Sequence, residues 1–396
     1  MFFGALKKQN SKTPMLIFDI GSTSVGAAIV LCGGDEPPFV VHAERHWLPP
    51  MQEVSMERLA GLLETAIDAV SKDMLSVGAK RLAAAGYGAR LPHIIHCFLT
   101  APWYAPHTDT VRLSSEKPFT VTRDMFSRAV ARERAALEET LARASGLTVV
   151  EHQVISLSAN GYETENPFGK DASELLFLTY TALAEEQVLS RFRSRIRRAF
   201  HADEIAMHSF LLAFFSSVRD IPDGEHDFLL VDVSGEVTEV SVVKGGRLSE
   251  SVSFPLGRNF LARALAAGCG ISCREALSLL AVHFSGRGNE DFTKRFLPAV
   301  SRVEKEWMGG FEECLSHVAG EAFLPHTTFV AADREIAPWI TAAIQDEALY
   351  QHTLTAKPFL VNLADEKIFD SYVTFGPGVA KDPFLMVDAL FVDKMI

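Results

Sequence analysis

No stretch of this chain approaches the ~18 consecutive apolar residues that a membrane-spanning helix needs. The longest candidate, around Phe210 to Phe215, is far too short and reads as a core segment. Basic charge is in deficit. The 38 Lys and Arg stand against 50 Asp and Glu, a formal net charge of −12, which argues against general nucleic-acid binding. The opening segment, Met1 to Thr13, carries Lys7, Lys8 and Lys12 but no apolar stretch behind them, so it does not read as a secretory signal. Cysteine is sparse: Cys32, Cys97, Cys269, Cys273 and Cys314 are scattered and odd in number, as expected of a reducing compartment. Cys269 and Cys273 lack a second ligand pair nearby, and His93 and His96 form a lone HxxH. Both read as packing residues rather than a metal site.

What the chain does have is size and apolar content. At 396 residues and 48% hydrophobic, it can build two or three domains with sizeable cores. Its most informative pattern occurs twice. Leu16-Ile17-Phe18-Asp19-Ile20-Gly21-Ser22-Thr23-Ser24-Val25 is an apolar run, an Asp, a small-residue turn and a second run. Leu229-Leu230-Val231-Asp232-Val233-Ser234-Gly235-Glu236-Val237-Thr238 repeats the plan. Each predicts a buried strand, a tight turn and a returning strand. An Asp at the lip of such a turn can hold a hydrated cation. Turn Gly and Ser/Thr residues can aim N–H and hydroxyl groups at phosphate oxygens. Two such turns facing each other across a cleft would grip a nucleotide's phosphates from both sides.

These paired motifs resemble the two phosphate motifs of the superfamily of actin, the heat-shock chaperone ATPases and the sugar kinases. The first copy is most similar to the bacterial branch that contains the division protein FtsA and the pilus-assembly protein PilM. Asn160-Gly161-Tyr162-Glu163-Thr164-Glu165-Asn166-Pro167-Phe168-Gly169 resembles a segment of the small domain inserted in FtsA-like proteins. Phe254-Pro255-Leu256-Gly257-Arg258-Asn259-Phe260 resembles the stretch after the family's second motif. The resemblance implies an α/β fold: two actin-like (RNase H-like) domains flanking a cleft, with a small α+β subdomain inserted in the first half.

Along the chain this becomes four segments. Residues 14–105 read as the first part of domain I, and the prolines of Ala101–Pro106 mark a boundary. Residues 106–184 read as the insert, with a helix over Arg123–Ala144 capped at Thr122 and strands around the Asn160–Gly169 loop. Residues 185–225 return to domain I, and 226–396 form domain II. Asp220–Asp227 reads as a polar connector and Ser285–Asn289 as a loop. The arginines of Glu185–Phe200 fit a solvated helix face, or a docking face for an acidic partner.

The resemblance implies ATP and Mg²⁺ as ligands, with Mg²⁺ held through water by Asp19 and Asp232. The nucleotide contacts would come from Asp19, Gly21, Ser22, Thr23, Ser24, Asp232, Ser234, Gly235, Thr238, Glu275, Ala331 and Ala332. Several positions depart from the family pattern. Ser234 stands for Gly, and Glu236 would put a carboxylate near phosphates. Ala331-Ala332 replaces the Gly-Gly turn on which the base lies. Glu275 remains for the ribose, but Ser278 stands where the family has Lys. Met207-His208-Ser209 aligns with the segment that positions attacking water, and a His such as His208 on a helix face is usually structural. Phosphoryl transfer depends on positioning and electrostatics. The expectation is therefore low-affinity ATP binding and slow or absent hydrolysis, with Asp19, Asp232 and His208 as the only catalytic candidates.

The expected role is a cytoplasmic scaffold or adaptor of the FtsA/PilM type in bacterial cell division or type IV pilus assembly, a pseudo-ATPase acting by protein binding. An active ATPase or small-molecule kinase of the same superfamily is the alternative. Partners would be a division filament or the cytoplasmic tail of a membrane pilus protein, with self-association possible and no nucleic acid. FtsA anchors itself through a C-terminal amphipathic helix, whereas PilM takes a short peptide in a cleft beside its insert. Val392-Asp393-Lys394-Met395-Ile396 has no amphipathic tail, so PilM is the better analogue. Membrane contact is then indirect, at the inner face; Met1–Lys8 is too short to bury much area.

Overall fold

The computed structural model describes residues 12–396, save 52, 54, 144–145, 165, 220, 222–225, 285–289, 321–322 and 354–355. Met1–Lys8, the Ser285–Asn289 loop, Glu165 of the Asn160–Gly169 loop and most of the Asp220–Asp227 connector thus lie outside the described residues.

The first half begins with β1 (Thr13–Ile20), β2 (Ser24–Cys32) and β3 (Phe39–Trp47), an antiparallel meander. Nearly every residue of β1 and β2 is buried, because helices cover both faces of their sheet. Helix α1 (Met56–Asp73) follows, started by Ser55, whose hydroxyl accepts from Arg58 N–H. Then come α2 (Ala79–Ala84) and β4 (Ile94–Leu99), which pairs in parallel with β1.

At this point the chain builds a separate four-stranded sheet. It consists of β5 (Ala105–Thr120), α3 (Arg123–Arg143), β6 (Leu147–Ala159), β7 (Tyr162–Glu163) and β8 (Asp171–Glu185), in strand order β5-β8-β6-β7. Thr122 caps α3 by accepting from Met125 N–H at 3.2 Å. Strand β5 is longer than the polar text of that segment announces. Its residues are mostly exposed, and pairing with β8 rather than an apolar face holds it.

The chain then returns through α4 (Glu186–Phe200), β9 (Glu204–Ser209) and α5 (Phe210–Arg219). The arginine face of α4 settles on α1: Arg191 pairs with Glu57 and Glu64, and Arg195 with Glu64 and Asp68. Arg191 and Arg195 thus fasten two helices together.

The second half repeats the meander in β10 (Phe228–Val233), β11 (Thr238–Lys244) and β12 (Arg247–Phe254). Helices α6 (Arg258–Cys269), α7 (Cys273–Phe284) and α8 (Glu290–Ala319) precede β13 (Thr327–Ala332), α9 (Ala337–Ile344) and β14 (Leu360–Leu363). The sheet order is β12-β11-β10-β13-β14.

One boundary needs correction. The second domain does not run to residue 396. After β14 come α10 (Glu366–Phe369), β15 (Thr374–Phe375) and α11 (Pro383–Met395). Strand β15 pairs with β3, giving the first sheet the order β15-β3-β2-β1-β4-β9, and the buried residues of α11 join the first core. The apolar text of α11 needs a covered site, and the first sheet supplies it. The halves are also welded by packing. Leu229, Val231 and Val233 face the second core, whereas Phe228, Leu230, Phe329 and Ala331 face the first. Strand alternation thus gives each half one side of the second sheet.

Candidate functional site

Asp19 ends β1, opposite Gly26 in the hairpin register, and the turn through Gly21, Ser22 and Thr23 follows. The Asp19 carboxylate is buried, and one oxygen accepts from Arg45 Nη2 at 2.7 Å. Arg45 comes from β3, across from the same Gly26. A Cβ at Gly26 would lie 2.7 Å from the Arg45 guanidinium, so that glycine makes room for the side chain. Arg45 also binds Asp382, the residue that caps α11, through Nε at 2.5 Å and Nη2 at 3.0 Å, and Ser24 Oγ through Nη1 at 2.9 Å. Burial pushes the Asp19 pKa up, and the Arg45 charge pulls it back. Burial also opposes the Arg45 charge, but Asp382 and Asp19 more than offset it, so the guanidinium stays protonated.

The second turn is different. Asp232 ends β10 opposite Glu239 and is buried. Among the described residues nothing hydrogen-bonds either carboxylate oxygen. Burial raises its pKa well above the ordinary value, and Glu239, Asp19 and Asp333 add to the rise. Ser234 spends its hydroxyl on the carbonyls of Ala101 and Val237, at 2.9 and 2.8 Å. Thr238 donates to Leu256 O and accepts from Trp307 Nε1, so it serves the core. Glu236 does not reach toward a phosphate position. It turns to α6, where Asn259 and Arg263 donate to it at 2.8 and 2.7 Å. The backbone N–H groups of Arg258 and Asn259 bind the carbonyls of Ser234 and Gly235 at 2.9 and 2.8 Å. That first turn of α6 is thus aimed at the protein's own turn.

Between the two turns there is almost no room. The backbone N–H of Glu236 donates to Ser22 Oγ at 3.1 Å, and a Cβ at Gly235 would lie 2.5 Å from that same oxygen. Asp19, Ser22, Thr23, Arg45, Asp232 and Asp333 share a cavity of about 20 Å³. That volume holds about one water, since a single water needs roughly 10–15 Å³. Beyond it lies a cavity of about 470 Å³ lined by Trp47, Ala332, Asp333, Arg334, Asp365 and Phe384, among others. Ala332 borders that space, but Ala331 does not; it is paired with Asp232 inside the sheet. Arg258 bonds to Glu335 at 2.5 Å, lies 3.0 Å from Asp333 and sits over the Trp47 ring at 5.5 Å. Burial brings the Asp333 pKa to about 6 against the pull of Arg258. Glu275 is exposed and closes a capping box with Ser272 at the start of α7, so a ribose role has no support here.

His208 lies on strand β9, not on a helix. It is buried, stacked on Phe98 and His96, and bonded at 3.1 Å to both His96 and Glu151. Burial, then His208, lowers the His96 pKa to about 4. Glu151 continues to Ser209, and Tyr180 donates to Ser209 Oγ at 2.8 Å. This network ties the inserted sheet to the first sheet and does not line the gap between the turns. A parallel link crosses the halves: Tyr104 OH donates to Glu239 at 2.7 Å. Arg45, Asp382 and Glu239 are the site residues that the motif reading misses. The signal for Arg45 is the unexplained Gly26 opposite it.

The gap does not fit a cation–triphosphate. The orphaned Asp232 oxygens would suit a cation, but the space and the Arg45 bonds count against it. Among the described residues no group of three His, Cys, Asp or Glu side chains is placed to hold a metal ion.

No family model and no curated protein sequence matches the chain. In structure it is similar to the PilM-PilN type IV pilus biogenesis complex, at 13% identity, 97% of this chain, 98% of that chain and a TM-score of 0.58. Looser likenesses include the ethanolamine utilization protein EutJ from Carboxydothermus hydrogenoformans, at 11% identity, coverages of 96% and 89%, and a TM-score of 0.41. Another is an actin-like ATPase-fold protein from Bacteroides thetaiotaomicron, at 9% identity, coverages of 98% and 99%, and a TM-score of 0.37. The chain has the actin-like ATPase fold, and the likeness covers 97% of it.

Proposed function

We propose that the protein is an actin-fold adaptor of the PilM kind, which holds a short segment of a protein partner and does not turn over ATP. The observation that carries this reading is a contrast in room. The gap between the turns holds about 20 Å³, whereas a groove beside the inserted sheet holds about 900 Å³. Four consecutive residues of β6, Val154 to Leu157, line that groove. Neighbouring side chains on a regular strand point to opposite faces, but the register of β6 slips between Val154 and Ser156, and this bulged stretch of the strand fronts the groove. Among the described residues, β6 pairs with β8 on one side and meets β7 only at Ser158 and Ala159. An extended peptide could add to this edge. Arg123, Arg219 and Arg247 line the groove with one acid, Glu163, which favours an acidic segment.

A partner of this kind would be the cytoplasmic tail of a membrane pilus protein, which would put the adaptor at the inner face of the membrane. A division role is the second possibility for the same groove. The test is fluorescence anisotropy with short labelled acidic peptides. Binding should saturate, and Arg123→Glu with Arg247→Glu should remove it. Phosphate release should stay near background throughout. Robust Mg²⁺-dependent hydrolysis that disappears in Asp232→Ala would place the protein among the ATPases or kinases instead.

A further inference from the structure

We propose that Arg45 is a built-in cation, which holds the first turn in its closed arrangement from within the chain and takes the place of a metal ion there. The guanidinium has five N–H donors in a fixed fork. Four of its bonds are assigned: one to Asp19, two to Asp382 and one to Ser24. It therefore does for Asp19 what a cation would do, and it joins that carboxylate to the start of α11. Phe384 lies against the guanidinium, 5.3 Å from ring centroid to carbon. Gly26 supplies the space over which it lies.

A guanidinium in this position leaves no room for a hydrated second cation. The residual cavity takes about one water. An incoming metal would have to break the Arg45 bond to buried Asp19 and the half-buried bidentate Arg45–Asp382 pair, and such pairs are costly to break from one side. On the far side of the cleft Arg258 repeats the device, with Asp333 and Glu335 as its carboxylates and Trp47 of the other half beneath it. The shared core and the direct Ser22–Glu236 contact then keep the halves together. None of this depends on what the groove beside the inserted sheet binds.

The experiment is a Mn²⁺ titration followed by electron paramagnetic resonance on the full chain. The wild type should show no Mn²⁺ binding that Asp19→Asn removes, and its melting temperature should not move with Mg²⁺, alone or with ATP. Arg45→Ala should gain a Mn²⁺ site that Asp19→Asn abolishes when combined with it. Arg45→Lys keeps the charge and should behave as the wild type. An Asp19-dependent Mn²⁺ site in the wild type would overturn the proposal, and so would a folded Arg45→Ala that binds none. If Arg45→Ala does not fold, the wild type against Asp19→Asn still decides: absence of an Asp19-dependent signal supports the proposal, and its presence refutes it.

Discussion

The two Asp-ended hairpins follow one plan in sequence and meet opposite fates in structure. Asp19 has a guanidinium and a capping aspartate around it, and its turn is held by ion pairs. Asp232 has no hydrogen-bond partner among the described residues, and its turn is held by backbone bonds to α6. The difference arises outside the motif. Arg45 lies on β3, and the matching third strand of the second meander, β12, places Ser253 opposite Glu239 and no arginine beside Asp232. A motif fixes where a carboxylate sits, and the neighbouring strand decides whether it has a cationic partner: among the described residues Asp19 is ion-paired and Asp232 is not.

The most severe way to break that contrast is to remove the arginine. Arg45→Met leaves buried Asp19 and half-buried Asp382 without their cation, which costs roughly 3–5 kcal/mol of unfolding free energy. Urea denaturation followed by circular dichroism measures it. Adding Asp19→Asn to Arg45→Met should recover part of the loss, because one stranded charge is gone. Next in size is the contact between the turns. Gly235→Ala sets a Cβ 2.5 Å from Ser22 Oγ and 2.9 Å from the Ser22 carbonyl carbon, an overpacking that costs about 1–3 kcal/mol. Gly21→Ala is its control in the first turn. There the nearest atoms stand 3.4 Å away, and the loss should be clearly smaller.

How much of this is legible beforehand follows from the range of each interaction. Local pattern carries the two hairpins, the Thr122 cap and the placement of the inserted sheet, since each is written in a few adjacent residues. It does not carry β5, whose residues from Ala105 to Thr120 are mostly exposed and held by pairing with β8. Nor does it carry the return of β15 to β3, a pairing of two residues across most of the chain. The candidate site divides in the same way. Asp19, Ser22, Thr23, Asp232, Ser234 and Gly235 do converge on one cavity. Glu236, Thr238, Glu275 and His208 point elsewhere, because α6, the core, Ser272 and Glu151 claim their polar atoms first. No alignment of motifs contains that competition.

The second hairpin can be sharpened through pH. Burial raises the Glu239 pKa to about 7, with the Tyr104 hydrogen bond pulling the other way. The folded chain therefore keeps this proton to higher pH than the unfolded chain does. Its contribution to stability is full below the ordinary value of 4.5 and is lost as pH rises through about 7. Glu239→Gln retains an oxygen for Tyr104 and removes the titration. It should be more stable than the wild type at pH 8 by up to about 3 kcal/mol, with the gap narrowing to below about 1 kcal/mol by pH 5. Melting temperatures across that range check the sign. A gap that widens toward acid would mean the carboxylate is charged and paired in the folded state.

The smallest expected effect is the one that most directly separates the hairpins. Asp232 is buried and has no hydrogen-bond partner among the described residues, and burial pushes its pKa up, which disfavours the charged form. Asp232→Asn puts a neutral polar group of nearly the same shape there, and loses no assigned hydrogen bond. The change in unfolding free energy should be within about 1 kcal/mol, since replacement of an unpaired buried polar group is close to neutral. The same substitution at Asp19 removes one end of the Arg45 ion pair and should cost more. Parallel urea titrations of Asp19→Asn and Asp232→Asn measure the difference. Equal losses would mean that Asp232 carries a charge and a partner in solution, and the two hairpins would then share one fate.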